Sequence, residues 1–296
     1  MFLSCEQFRE LFTFCDRVPR EGGYRSVSKK DLLAFLCKMR QGLSDEFLTS
    51  IFQYSDRPAA SRAVATVRKS LMRRFVPSNI GLDTITRENY IERHVTEFAN
   101  ELFNPEPNIP RVIVIIDGTY TFIMKSSNFR ALRQSYCVHK GRHLVKPVLT
   151  VAPDGYILDI QGPYFSDARN NDAAILRNEF ETNAERMRRW LEKNDIVIVD
   201  RGYRDSTELL QRLGIVWKMP ALLEPGDRQL GTEDANDSRL VTKLRWLVEA
   251  RNGHLKSIFK FFQQTMQIQH VPHIGEFYRI AGSIINRYHP LIFMRS

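Results

Sequence analysis

At 296 residues, with 43% hydrophobic and 26% charged residues, the chain has the size and composition of an ordinary globular protein whose core is not limited by length. Its net charge of +9 suits a polyanionic partner, although where the charge sits decides more than the total. No run approaches the apolar length that spans a bilayer, the start MFLSCEQFRELF carries Glu6, Arg9 and Glu10 where a signal peptide would be apolar, and Cys5, Cys15, Cys37 and Cys137 show no CxxC spacing, which argues against a zinc module and favours a reduced intracellular compartment.

In chain order, apolar residues first recur at helical spacing: Leu32, Leu33, Phe35, Leu36 and Met39, then Phe47, Leu48, Ile51 and Phe52, then Val64, Val67 and Leu71. Ser44 is placed to cap a helix through Phe52, with Asp45 and Glu46 in its first turn. After QYSD, Pro58 suits the start of a second helix. Two helices across a short turn, over about 42–75, form a helix-turn-helix pattern. The second helix would present Arg57, Ser61, Arg62, Thr66, Arg68 and Lys69, with Arg73 and Arg74 trailing toward DNA phosphates. The same residues equally fit a helical bundle with a basic solvated face. NPEPNIP (104–110) cannot continue a helix, so a boundary is expected between a helical region, 1–104, and a second domain, 105–296.

Beyond it the pattern predicts strands at 112–117, 119–124, 134–139, 144–151 and 156–160. A helix at 172–193, a strand at 196–200, a helix at 205–213 and a short strand at 215–219 follow. A polar loop at 224–237 and helices at about 238–263 and 273–288 complete a mixed α/β domain. Two strands share an unusual ending. VIVIIDGTY (112–120) and IVIVDRGY (196–203) each drive a β-branched run into an aspartate, Asp117 and Asp200. Ligands of α/β sheets bind at the carboxyl ends of strands. Two carboxylates brought together there must share a proton or a cation, and hard oxygen donors suit Mg²⁺ or Mn²⁺. Each aspartate taken singly also reads as an ordinary turn residue. In RLVTKLRWLVEARNGHLKSIFKFF (239–262), Glu249 falls about 140° from Leu244 on a helical wheel, on the shoulder of the apolar stripe with Arg245, Asn252 and Lys256. It is either a third acidic ligand or part of a surface ion-pair network.

Together, IIDGTY, IVDRGY and LVEARNGHLK resemble the DDE motifs of Harbinger-type (PIF/Harbinger) transposases and their derived DDE superfamily endonucleases. The resemblance runs on through SYCVHKGRHLVKP (135–147), VAPDGYI (151–157), GPYFSDARNNDAAIL (162–176) and IAGSIINRYHPL (280–291). It implies a ribonuclease H-like catalytic domain, a mixed sheet flanked by helices, preceded by the small helix-turn-helix region. It implies a catalytic and metal-binding triad of Asp117, Asp200 and Glu249 holding two divalent ions, Mg²⁺ or Mn²⁺, for phosphodiester hydrolysis or strand transfer. Arg133, His139, Lys140, His143 and Lys146 then become phosphate contacts on a basic strand-turn-strand, which is otherwise an exposed hairpin. Arg201 would orient the scissile strand, and Arg245 and Lys256 would hold DNA beside Glu249. Asp172 is expected to cap the helix that follows it, with a place as an extra metal-site group as the other reading; Asp167 is a weaker one, and Cys137 reads as a core residue or inert thiol. The partners implied are double-stranded DNA, a Myb-like accessory protein and a second copy of the chain, with the nucleus as location and VRKSLMRRF (67–75) as an import-signal candidate. The chain begins almost at the helical region, so sequence-specific recognition is expected to be incomplete or supplied in trans. A DNA-binding protein that keeps the fold without transposition is the alternative. A haloacid dehalogenase-type phosphatase needs a second aspartate two residues after the first, where this chain has Thr119.

Overall fold

The computed structural model describes residues 3–20, 23–167, 170–182, 187, 190–222 and 229–292. The first hundred residues are mainly helical: α1 (Cys5–Thr13), α2 (Lys29–Gln41), α3 (Asp45–Phe52), α4 (Arg57–Arg74), α5 (Arg87–His94) and α6 (Glu97–Phe103), with a small hairpin of β1 (Val18–Arg20) and β2 (Gly23–Arg25). Ser4, Ser28, Ser44, Asp56, Thr86 and Thr96 cap these helices in turn, each side chain accepting a first-turn N–H. The expected helix pair is α3 and α4, joined by residues 53–56.

A mixed sheet follows. Its elements are β3 (Ile113–Gly118), β4 (Thr121–Phe122), α7 (Phe129–Ser135), β5 (Tyr136–Cys137), β6 (Arg142–Val151), β7 (Ile157–Phe165), α8 (Asp172–Thr182), β8 (Ile196–Ile198), α9 (Thr207–Arg212), β9 (Val216–Lys218), α10 (Thr232–Ile258) and α11 (Ile274–Tyr288). Strand order is β7–β6–β3–β8–β9, and β4 and β5 also pair with β6. β6 runs antiparallel to β3 and β7, whereas β3, β8 and β9 are parallel. Residues 112–116 and 196–199 are at most 1% exposed, the continuous burial that parallel strands covered on both faces require. Both strands are anchored at their start by Asp195. Its carboxylate accepts two bonds from Arg87, at 2.5 and 3.1 Å, and one each from the Val112 and Glu192 N–H groups.

Helix α10 lies against β3 and β6. Buried Arg251 ties it down, donating to the Gly155 and Pro290 carbonyls. Helix α11 packs on β7 and on α4, approaching so closely that a Cβ at Gly275 would collide with the Gly162 carbonyl oxygen. The helical and sheet regions on either side of residue 104 share one continuous apolar core. Phe35 stacks on Phe277 at 6.0 Å, and Arg40 donates to the Ser257 and Ile258 carbonyls at the end of α10. Among the described residues no helix is long and apolar enough to cross a membrane.

Several expected boundaries move. The strand expected at 134–139 is mostly absent, because Asn128 caps a helix over 129–135 and leaves only Tyr136–Cys137 extended. The strand expected at 119–124 shrinks to Thr121–Phe122, and the one expected at 156–160 continues to Phe165. Helix α8 is described to Thr182; residues 183–186, 188 and 189 of the expected helix lie outside the described residues. The expected loop at 224–237 turns helical at Thr232, and residues 223–228 lie outside the described residues. Helix α10 ends at Ile258, before the expected 263, because Phe259 leaves helical geometry at φ −110° and ψ 85°.

Candidate active site

The two acidic strand ends meet. β3 and β8 pair in parallel, with Ile113 opposite Ile196 and Ile115 opposite Ile198. Continued two residues further, that register sets Asp117 beside Asp200 at the carboxyl edge of the sheet. The Gly118 N–H donates to Asp117 Oδ1 at 2.9 Å. Burial pushes the Asp117 carboxyl up to about 7; Arg245 and the Gly118 N–H oppose the rise, and the negative charges of Asp200 and Asp172 add to it.

Helix α10 supplies Glu249 and, one turn earlier, a cation between it and Asp200. Arg245 is 8% exposed, although Glu249 one turn on projects into solvent. Its guanidinium lies 3.3 Å from Asp200 Oδ1 and 3.5 Å from Glu249 Oε1, bridging the second and third carboxylates. Among the described residues no three His, Cys, Asp or Glu side chains are already grouped to hold a metal ion. The shoulder position expected of Arg245 is thus a buried one, directed at the aspartates and away from solvent.

Asp172 is not the helix cap it resembles in sequence. Asn171 takes that role, its Oδ1 accepting from the Ala174 N–H at 2.7 Å. The Asp172 carboxylate, freed from capping, turns to the strand ends: Lys146 Nζ lies 3.3 Å from its Oδ1, and a Cβ built on Gly202 would stand 2.8 Å from its Oδ2. Gly202 therefore keeps space for this carboxylate just past Asp200. Tyr203 follows it, 1% exposed, and its hydroxyl has no hydrogen-bond partner among the described residues. The sequence favoured the cap and kept a metal-site place for Asp172 as its other reading, whereas tyrosine after glycine carries no pattern. Asp167 accepts a bond from the Asn170 side chain and holds its own loop.

A second missed group flanks the site. Tyr120, three residues beyond Asp117, has Lys256 Nζ 4.2 Å and Lys140 Nζ 5.1 Å from its ring centre. Arg142 stacks over Phe122 at 3.9 Å. Burial, then the charge of Lys140, lowers the Lys256 pKa. These residues join expected DNA contacts far apart in sequence into one basic, aromatic surface. Arg133, His139 and Arg201 are exposed, with Arg133 in a cleft shared with Phe129, Arg130, Tyr136 and Val138. His143 is engaged with the Ser135 hydroxyl and Lys146 with Asp172, so both are already partnered inside the fold.

The helix-turn-helix candidates divide. Arg62, Lys69, Arg73 and Arg74 are exposed, with Arg62 near Asp56 and Arg74 near Asp16. Arg68 is a correction: at 4% exposure it is paired with Glu276 at 3.1 Å and cannot reach a phosphate. Thr66 is also buried, its hydroxyl bonded to the Arg62 carbonyl. Helix α4 is enclosed by α2, α3 and α11, so its buried arc is wider than the sequence pattern implies.

A family model described as DDE superfamily endonuclease matches residues 116–286. No curated protein matches the chain in sequence. Among solved structures, the cryo-EM structure of a piggyBac transposase synaptic complex with hairpin DNA is similar, with a TM-score of 0.46 and 9% identity, over 90% of this chain and 67% of that one.

Proposed function

Because the chain belongs to the DDE superfamily endonucleases, we propose that it is a metal-dependent DNA endonuclease or transposase whose acidic triad is Asp117, Asp200 and Glu249. The observation that carries this reading is the convergence of Asp117 and Asp200 on adjacent parallel strands, with Arg245 linking Asp200 to Glu249. The donors fit a hard divalent cation: all are carboxylates, and Asp117, raised to about 7 by burial first and by the charges of Asp200 and Asp172 after it, is a group whose charge such a cation would neutralise. When bound, a pair of Mg²⁺ or Mn²⁺ ions supplies Lewis-acid neutralisation of charge at the phosphodiester. Asp117 and Asp200 would hold metal from the sheet, and Glu249 from α10 once its side chain leaves Arg245. Asp117 would hold metal as the carboxylate, and Arg245, once free of Glu249, would be placed to meet a DNA phosphate. Lys140, Lys256, Arg133 and Arg201 hold the DNA backbone around the site.

The strand order and the sequence of acids, first on β3, second on the adjacent β8 and third on a following helix, support a ribonuclease H-like catalytic domain. The exposed Lys69 and Arg73 support a DNA-facing role for the α3–α4 pair. Double-stranded DNA is the proposed partner, with a Myb-like accessory protein, a second copy of the chain and nuclear residence resting on the family resemblance alone. One observation favours the second reading, a DNA-binding protein that no longer cuts: Arg245 neutralises Asp200 and Glu249 without metal.

Nicking of supercoiled plasmid with Mn²⁺ separates the two. Wild type should nick, with activity lost in EDTA and in Asp117→Asn, Asp200→Asn and Glu249→Gln, while DNA affinity persists. No nicking by wild type would favour the non-cutting protein. Undiminished nicking by all three variants would refute the triad.

A further inference from the structure

We propose that Asp172 is a further acidic group of the metal centre and that Tyr203 is its positioning residue, a hydroxyl held in reserve for the carboxylates when they close on a cation. This rests on the reading of Asp117 and Asp200 as metal ligands and adds two residues outside the acidic triad.

Two independent observations meet here. The first is the direction of Asp172: with Asn171 capping α8, its carboxylate lies against Gly202 and within 3.8 Å of where a Gly118 Cβ would stand, between the residues that follow each strand-end aspartate. Lys146 is its counter-ion, and the Lys146 ammonium also donates to the Asn170 carbonyl. The second is the Tyr203 hydroxyl, fully buried and, among the described residues, without a partner. A buried phenol is normally paired, because an unmade bond leaves its desolvation uncompensated. The charges that bear on it are those of Asp172 first, then Asp117 and Asp200, opposed by Arg245. The phenol has only an O–H to offer a carboxylate, and Asp172 stands against Gly202, the residue that precedes it.

With a cation held at the strand ends, Asp172, sited between them, would exchange Lys146 for it, and the Tyr203 O–H would donate to a carboxylate oxygen and fix its orientation. Gly202 keeps the space this movement needs. Nothing covalent changes; one ion pair is exchanged for another.

The test is Mn²⁺ binding by the full chain at pH 7.5, followed by loss of the free-ion EPR signal, with metal-free melting temperature as a folding control. Asp117→Asn should lose binding. Asp172→Asn should weaken it at least tenfold, and Tyr203→Phe about tenfold, the usual range for groups that orient ligands. Lys146→Met removes the same ion pair without touching a carboxylate and should bind Mn²⁺ at least as tightly as wild type. If Asp172→Asn and Tyr203→Phe bind like wild type while Asp117→Asn does not, Asp172 is only a partner for Lys146 and this proposal falls alone. If Lys146→Met weakens binding as much as Asp172→Asn, the ion pair is what matters and the proposal also falls. If wild type takes up no Mn²⁺, the proposed function falls with it.

Discussion

Replacing Asp117 with asparagine should make the metal-free protein more stable, and more so at high pH. The Asp117 carboxyl stands at about 7 in the folded chain, against an ordinary 3.8, chiefly through burial. A raised carboxyl value means that the unfolded chain sheds its proton first as pH rises. Stability is therefore lost from pH 3.8 up to about 7 and stays lost above it. At 1.36 kcal/mol per pH unit, the wild type carries a handicap of about 4 kcal/mol at pH 8 and about 1.5 kcal/mol at pH 5. Asparagine has no charge to desolvate and keeps an oxygen for the Gly118 N–H. At about 2 °C per kcal/mol for a chain of this size, the variant should melt about 8 °C above wild type at pH 8 and about 3 °C above it at pH 5. Calorimetry in EDTA at both pH values measures this, and excess Mg²⁺ should raise wild type selectively. An equal gain at the two pH values, or a loss at pH 8, would refute the account of Asp117 as a buried, crowded acid.

Two further outcomes follow from buried charge. Asp195→Ala removes the carboxylate that accepts from Arg87 and from the Val112 and Glu192 N–H groups, so urea denaturation should show a loss of about 3–5 kcal/mol; a loss under about 1 kcal/mol would show the pair to be dispensable. For DNA, Lys256→Ala should lower the slope of log affinity against log salt by about one, whereas Arg68→Ala should leave the slope unchanged and lower the melting temperature, because Arg68 is paired with Glu276 and Lys256 has no carboxylate partner among the described residues.

The parts of this molecule visible in sequence are those fixed by local pattern. The runs before Asp117 and Asp200 are β-branched without interruption, which only a strand covered on both faces tolerates, so both strands and their acidic ends could be read directly. The start of α10 could not. TEDANDS is as polar as a loop, yet Glu233 and Asp234 sit where a helix N-terminus favours negative charge. FRALRQS was equally opaque, because its helix depends on Asn128 capping one turn ahead. Asp172 was misread by one position, since Asn171 caps just as well and the choice between them is made by Lys146 and Gly202 in other elements. Arg68 was placed on a solvent face and Arg245 only on the shoulder of the apolar stripe because a helical wheel counts one buried stripe, whereas α4 has three neighbouring helices and α10 lies against the sheet. Their true surroundings come from segments up to two hundred residues away.

The contact of α11 with α4 has a consequence in time. A ribosome finishes Arg74 about 200 residues before it begins Ile274, and at about 5–20 residues per second that interval is some 10–40 s. Throughout it, Phe35 lacks its Phe277 and Arg68 its Glu276, so the early helices wait with an apolar face and a desolvated charge uncovered. Anything that guards this chain during synthesis has to guard its first quarter until the last helix has left the ribosome. Exchanging α3 and α4 between relatives would likewise require α11 to travel with them.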